Sequence, residues 1–109
     1  MRLSKIIDVL KHINKLLVLK NYEKLCEDDI ERVLTILDIR NKIDEYEGEI
    51  THPNDNAFYD FYLYPIDKNT IAVELDLWLD DSASDLTLSC YISDKNEKYQ
   101  YGLQDLRTL

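Results

Sequence analysis

Hydrophobic residues fall at Ile6, Val9, Leu10, Ile13, Leu16 and Leu17, the i, i+3, i+4, i+7 spacing that places them on one face of a helix. Ser4 stands where an N-cap is expected, and Asn21 where the helix can stop. Ile7, Val18 and Leu19 widen the apolar surface beyond one seam, so this helix is expected to be covered on more than one side. A second helix is expected from Asp28, because Asp28 and Glu31 have the spacing of a capping box and Asp29 adds charge at the positive end of the helix dipole. Ile30, Val33, Leu34 and Leu37 would form its buried stripe, ending before Gly48. The polar residues 51–56, with Pro53, read as a loop.

From residue 58 onward the period changes to two. Ile71, Val73, Leu75, Leu77 and Leu79 alternate with Ala72, Glu74, Asp76, Trp78 and Asp80, predicting a strand with one apolar face and one acidic face that carries a tryptophan. Leu86, Leu88, Cys90 and Ile92 alternate with Thr87, Ser89, Tyr91 and Ser93 in a second strand of the same kind. Residues 58–66 make a less regular strand with aromatics on both parities, and residues 99–109 a last strand in which Gly102 is expected to mark a bulge. Residues 67–69, 80–84 and 94–97 are the turns. Strands so close in sequence pair as an antiparallel meander. The expected fold is α+β: two N-terminal helices packed on one face of a curved antiparallel sheet of about four strands, in a single domain over residues 1–109.

Charge sorts along the same division. Residues 1–42 hold nine Lys/Arg against seven Asp/Glu, whereas residues 43–109 hold four against fifteen, making up the net charge of −9. Seven of the eight tyrosines and the single tryptophan lie in the acidic part. Acid interleaved with aromatics suits a cationic partner and has the wrong sign for nucleic acid or an anionic membrane. The longest apolar run, residues 16–19, falls far short of the roughly 20 residues of a membrane span. Ser4, Lys5 and Asp8 interrupt any secretory h-region. Cys26 and Cys90, isolated and without CxxC spacing, read as reduced, packed thiols of a cytoplasmic protein.

Chemistry-bearing motifs are scarce. His12 follows Lys11 in the first helix, and His52 precedes Pro53 in a loop; both read as structural. Glycine only at 48 and 102 excludes a Gly-rich phosphate loop. The acidic run over residues 80–85 departs from a calcium loop, with Asp85 at position six and Tyr91 at position twelve. No catalytic residue, metal or cofactor is expected. What remains is the outer row of Glu74, Asp76 and Asp80, whose like charges folding alone does not reward, with Trp78 among them. A solvated face with its Trp covered by the chain itself accounts for this row, as does an interface for a basic partner.

The stretches 72–78, 84–88 and 104–109, with residues 21–25 between the helices, resemble an uncharacterised family of small bacterial domains. In size, acidity and lack of catalytic machinery the chain is also similar to immunity proteins of bacterial toxin systems, including contact-dependent growth inhibition. That resemblance implies a protein that covers the active surface of a basic toxin domain, of nuclease type, by occlusion. Glu74, Asp76, Asp80, Asp81 and Asp85 would meet the toxin's cations, with Trp78, Tyr62 and Tyr64 as anchors. Helices followed by a curved sheet also resemble cone-shaped domains of the nuclear-transport-factor-2-like type, which implies a ligand or enzymatic pocket lined by residues such as Tyr59, Asp60, Tyr62, Tyr64 or Tyr91. Inhibition by mimicry of nucleic acid shares the acidity and is a third reading.

Overall fold

The computed structural model describes residues 1–54 and 61–108. Among these residues three helices, α1 (Leu3–Val18), α2 (Tyr22–Glu27) and α3 (Ile36–Asp44), precede five strands, β1 (Ile50–Thr51), β2 (Tyr62–Asp67), β3 (Thr70–Leu79), β4 (Ser82–Lys95) and β5 (Lys98–Thr108). All strand pairs are antiparallel. The α+β architecture is the one expected, with one helix and one short strand more than the sequence pattern indicated.

Helix α1 buries Ile6, Leu10, Ile13, Leu16 and Leu17 as its spacing requires, and Ile7 and Asn14 with them. Its N-cap is Arg2 rather than Ser4, which lies inside the first turn; the Arg2 carbonyl accepts the N–H groups of Lys5 and Ile6. The helix ends in a Schellman motif, with Lys20 at φ +56°, the Lys20 N–H donating to Leu17 O and the Asn21 N–H to Leu16 O. Asn21 at once caps α2, its side chain accepting the Lys24 N–H at 3.2 Å.

The second expected helix does not start at Asp28. Residues 28–34 instead run along the free edge of β5, where Asp29 bridges Tyr101 and the Ile30 N–H donates to Tyr101 O. Asp29, 1% exposed, accepts the N–H groups of Glu31, Arg32 and Leu103 through one carboxylate oxygen. Satisfying three backbone donors, that of Leu103 buried and those of Glu31 and Arg32 part-buried, outweighs a local helix preference of a few tenths of a kcal/mol per residue. Ile30, Val33 and Leu37 are therefore exposed rather than a buried stripe, and Leu34 is half-buried. The capping box lies further on: Thr35 Oγ1 accepts the Asp38 N–H at 3.1 Å and the Asp38 carboxylate accepts the Thr35 N–H at 2.9 Å.

Strand β3 lies at the centre of the sheet's wiring, pairing with β4 on one side and with both β1 and β2 on the other, while β5 adds beyond β4. Its alternation holds: Ile71, Val73, Leu75 and Leu77 are buried against the helices with Leu86, Leu88, Cys90 and Ile92 of β4. Tyr101, Leu103 and Leu106 continue this face on β5. The bulge of β5 falls at Gln104, the extra residue between Leu103↔Cys90 and Asp105↔Ser89, and not at Gly102. Gly102 serves a close approach, because a Cβ there would overlap the Cγ of Glu31. The loop expected over residues 51–56 begins with β1, and Asn54 is exposed. The part of the expected strand over residues 58–60 lies outside the described residues. The β3–β4 and β4–β5 connections are two-residue turns with positive φ at Asp80 and Asp81 and at Asn96 and Glu97, the type I′ geometry.

Candidate partner-binding face

One face of the sheet packs on the helices; the other carries the residues between the buried positions. Cross-strand register places them in rows. Tyr64, Ala72, Tyr91 and Gly102 form one row, and Tyr62, Glu74, Ser89 and Asp105 the next. Asp76, Thr87 and Arg107 follow, and then Thr51, Trp78 and Ala83. The structure thus brings Tyr62, Tyr64, Glu74, Asp76 and Trp78 onto one face. Asp80 and Asp81 form the turn beyond Trp78, and Asp85 follows on β4, in the stretch where the pairing register with β3 shifts.

The acids are less free than their spacing suggested. Arg107 reaches back from β5 and donates to Glu74 at 2.9 Å, to Ser89 Oγ at 2.6 Å and to Asp105 at 3.4 Å. Asp76 accepts from the Thr87 hydroxyl at 3.1 Å. Asp80 has a structural role, its carboxylate accepting the Glu49 N–H at 3.0 Å and closing against Gly48, which sits at φ +103°. Asp85 accepts the Tyr46 hydroxyl at 3.3 Å. Asp81 uses its N–H to bond Thr51, and its carboxylate makes no ion pair among the described residues. Trp78 is half-buried between its Thr51 and Ala83 neighbours, while Tyr62 is 66% exposed and Tyr64 49%.

Sequence reasoning missed Arg107, Asp105 and Glu31 on this face. Glu31 arrives from the β5 edge strap, its side chain packed over Gly102. The signal for Asp105 and Arg107 was their shared parity beyond the bulge expected at Gly102, which sets both on this face. Tyr59 and Asp60 lie outside the described residues.

Away from this face, a groove of about 560 Å³ lies between α1, the α2 end and β5, lined by His12, Asp28, Lys5, Asp8, Tyr99 and Lys98 among others. His12 Nε2 lies 3.3 Å from Asp28, which also pairs with Lys24 at 3.2 Å. Partial burial pushes the Asp28 carboxyl up, but hydrogen bonds from Lys24 and His12 outweigh it and hold the group below the usual carboxylate range. His52 meets the buried Asn14 amide at 3.4 Å, a packing role. Cys26 and Cys90 are free thiols, and burial pushes the Cys90 thiol up to about 12. Among the described residues no group of three His, Cys, Asp or Glu is arranged to hold a metal ion, and no helix is long and apolar enough to cross a membrane.

No curated protein and no solved structure matches this chain. A family model does, over residues 14–109, which takes in the end of α1, all of α2 and α3, the edge strap and the five strands. The chain belongs to the family described as a domain of unknown function, DUF7668.

Proposed function

We propose that this protein works by binding, docking the helix-free face of its sheet onto a basic protein domain. The observation that carries the reading is composition on that face: tyrosines standing in solvent beside carboxylates that outnumber the single guanidinium of Arg107. Exposed aromatic rings with nearby charge are the usual make-up of interface hot spots. The surrounding net charge of −9 would steer a cationic partner toward the molecule. In its specific form the proposal is an immunity protein, which neutralises a basic bacterial toxin domain of nuclease type by covering its active surface.

The test is capture of partners from the protein's own cells on the tagged chain at low and then high salt. A basic protein whose toxic or nucleolytic activity is abolished on adding the purified chain supports immunity by occlusion. A basic partner with no such activity retains the binding reading and removes immunity. Capture of acidic proteins, or of nucleic acid, overturns both.

A further inference from the structure

Tyr64 on β2 and Tyr91 on β4 flank Ala72 on β3 in one row of the open face. Two strand spacings put their Cα atoms roughly 9–10 Å apart, with side chains standing off the sheet and only a methyl group on the floor between them. Among the described residues no ring contact joins Tyr62, Tyr64 and Tyr91, so the tyrosines do not fill the space by stacking on one another. Beyond Tyr91 the row ends at Gly102, over which the Glu31 side chain lies, and Glu31 makes no ion pair among the described residues. Glu74 stands one position along β3 on the same face as Ala72.

The adjacent row displays what this surface holds. Arg107 lies across it with one guanidinium nitrogen on Glu74 and the other on Ser89 and Asp105. The chain's own arginine thus occupies a carboxylate-lined position beside the tyrosine row. Counting Glu31, Glu74, Asp76 and Asp105 against Arg107, these rows keep an excess of negative charge after that internal pairing. A flat cation placed over Ala72 would stand between two tyrosine side chains and beside Glu74, with Glu31 on the far side of Tyr91.

Resting on the reading of a basic partner, we propose that the slot between Tyr64 and Tyr91 receives an arginine side chain of that partner. Arginine fits better than lysine because its planar, weakly hydrated guanidinium stacks on aromatic faces while its edge still donates hydrogen bonds. The slot sets which cation is read, and the outlying acids of the Asp80–Asp81 turn act at longer range on encounter.

The experiment uses the isotope-labelled chain at physiological salt, titrated with a hexa-arginine peptide and with a hexa-lysine peptide, and followed by backbone and tyrosine-ring NMR shifts. Shifts should concentrate on Tyr62, Tyr64, Ala72 and Tyr91, with the arginine peptide binding severalfold more tightly. Tyr64→Ala should weaken it by about 5-fold, in the range of one exposed cation–π contact. Glu31→Gln, a surface change, should weaken both peptides without altering the preference for arginine. Equal binding of the two peptides with shifts centred on the Asp80–Asp81 turn overturns the slot and leaves the basic-partner reading standing. Binding of neither peptide overturns both.

Discussion

The Asp29 carboxylate accepts the backbone N–H of Leu103 at 3.1 Å, joining two residues 74 positions apart and fastening the strap of residues 28–34 to the edge of β5. The same oxygen takes the N–H groups of Glu31 and Arg32 at 3.0 and 3.3 Å. One buried side chain therefore does for an exposed sheet edge what a further strand would do, covering it against pairing with another chain. It also delivers Glu31 to the open face.

Asp29→Ala should lower stability by about 3 kcal/mol, because it strands the buried Leu103 N–H and the part-buried N–H groups of Glu31 and Arg32. Asp29→Asn keeps an oxygen in place and should lose clearly less. Urea midpoints of the two variants give the comparison. Equal losses would mean the charge, and not the acceptor geometry, holds the strap.

Residues 28–34 also mark the limit of what the pattern of residues discloses. Asp28, Glu31 and the apolar spacing after them are local helix signals, and they lose to a contact with Leu103 that no local window contains. Strands β3 and β4 were legible because a period of two survives wherever one face is buried. The acidic parity of Glu74 and Asp76 was legible for the same reason. Their neutralisation was not. A bulge at Gly102 or at Gln104 alike sets Asp105 and Arg107 on the open face; what no count along one strand discloses is that Arg107 reaches across β4 to Glu74 on β3. Capping shows the same limit: Ser4 has the residue type of a cap but lies inside the first turn of α1, and the box that forms joins Thr35 and Asp38 rather than Asp28 and Glu31.

Lys20 holds a left-handed conformation at φ +56° to close α1, a position that glycine occupies without steric cost. Lys20→Gly should raise stability by about 0.5–1 kcal/mol, the exposed ion pair with Glu49 at 3.0 Å offsetting little of it. Thermal midpoints measured at low and high salt separate the two effects; a fall in midpoint at both would show that the backbone strain is already relieved.

Tyr101 donates its hydroxyl to Leu25 O at 2.6 Å inside the core, and burial pushes its pKa up. Tyr101→Phe keeps the ring and leaves the Leu25 carbonyl without that donor, a loss of about 1–3 kcal/mol. Because the phenol is protected, ultraviolet titration of the native protein should show Tyr101 ionising only with alkaline unfolding. Ionisation of all tyrosines in one step near the ordinary value would contradict the burial.

Asp28 and Asp38 both titrate below the usual carboxylate range when folded: burial of Asp28 is outweighed by its bonds to Lys24 and His12, and Asp38 is held by its bonds to Thr35. A depressed folded pKa contributes stability that is present above the unfolded value, about 3.9, and is lost as pH falls through the folded one. Asp38→Asn should therefore flatten the acid limb of the stability curve below about pH 4 and leave its shape above about pH 6 unchanged. Parallel acid limbs for the two proteins would remove the α3 capping box from the pH response.

The open face makes a directional prediction about association. Arg107 screens Glu74 and Asp105, so Arg107→Met should expose two carboxylates and speed encounter with a basic partner at low salt, while Asp76→Lys should slow it by about 10-fold. Asp76 is the informative site for charge reversal because, among the described residues, its carboxylate accepts from the Thr87 hydroxyl, which can turn to Asp85 O at 3.5 Å instead. Asp80 is a poor choice, since its carboxylate holds the Glu49 N–H and a change there would disturb the turn itself. Stopped-flow association with the captured partner across a salt series reads both effects as slopes. Rates that move in the same direction for Arg107→Met and Asp76→Lys would place the partner's cations away from this face, because the two substitutions change its charge with opposite sign.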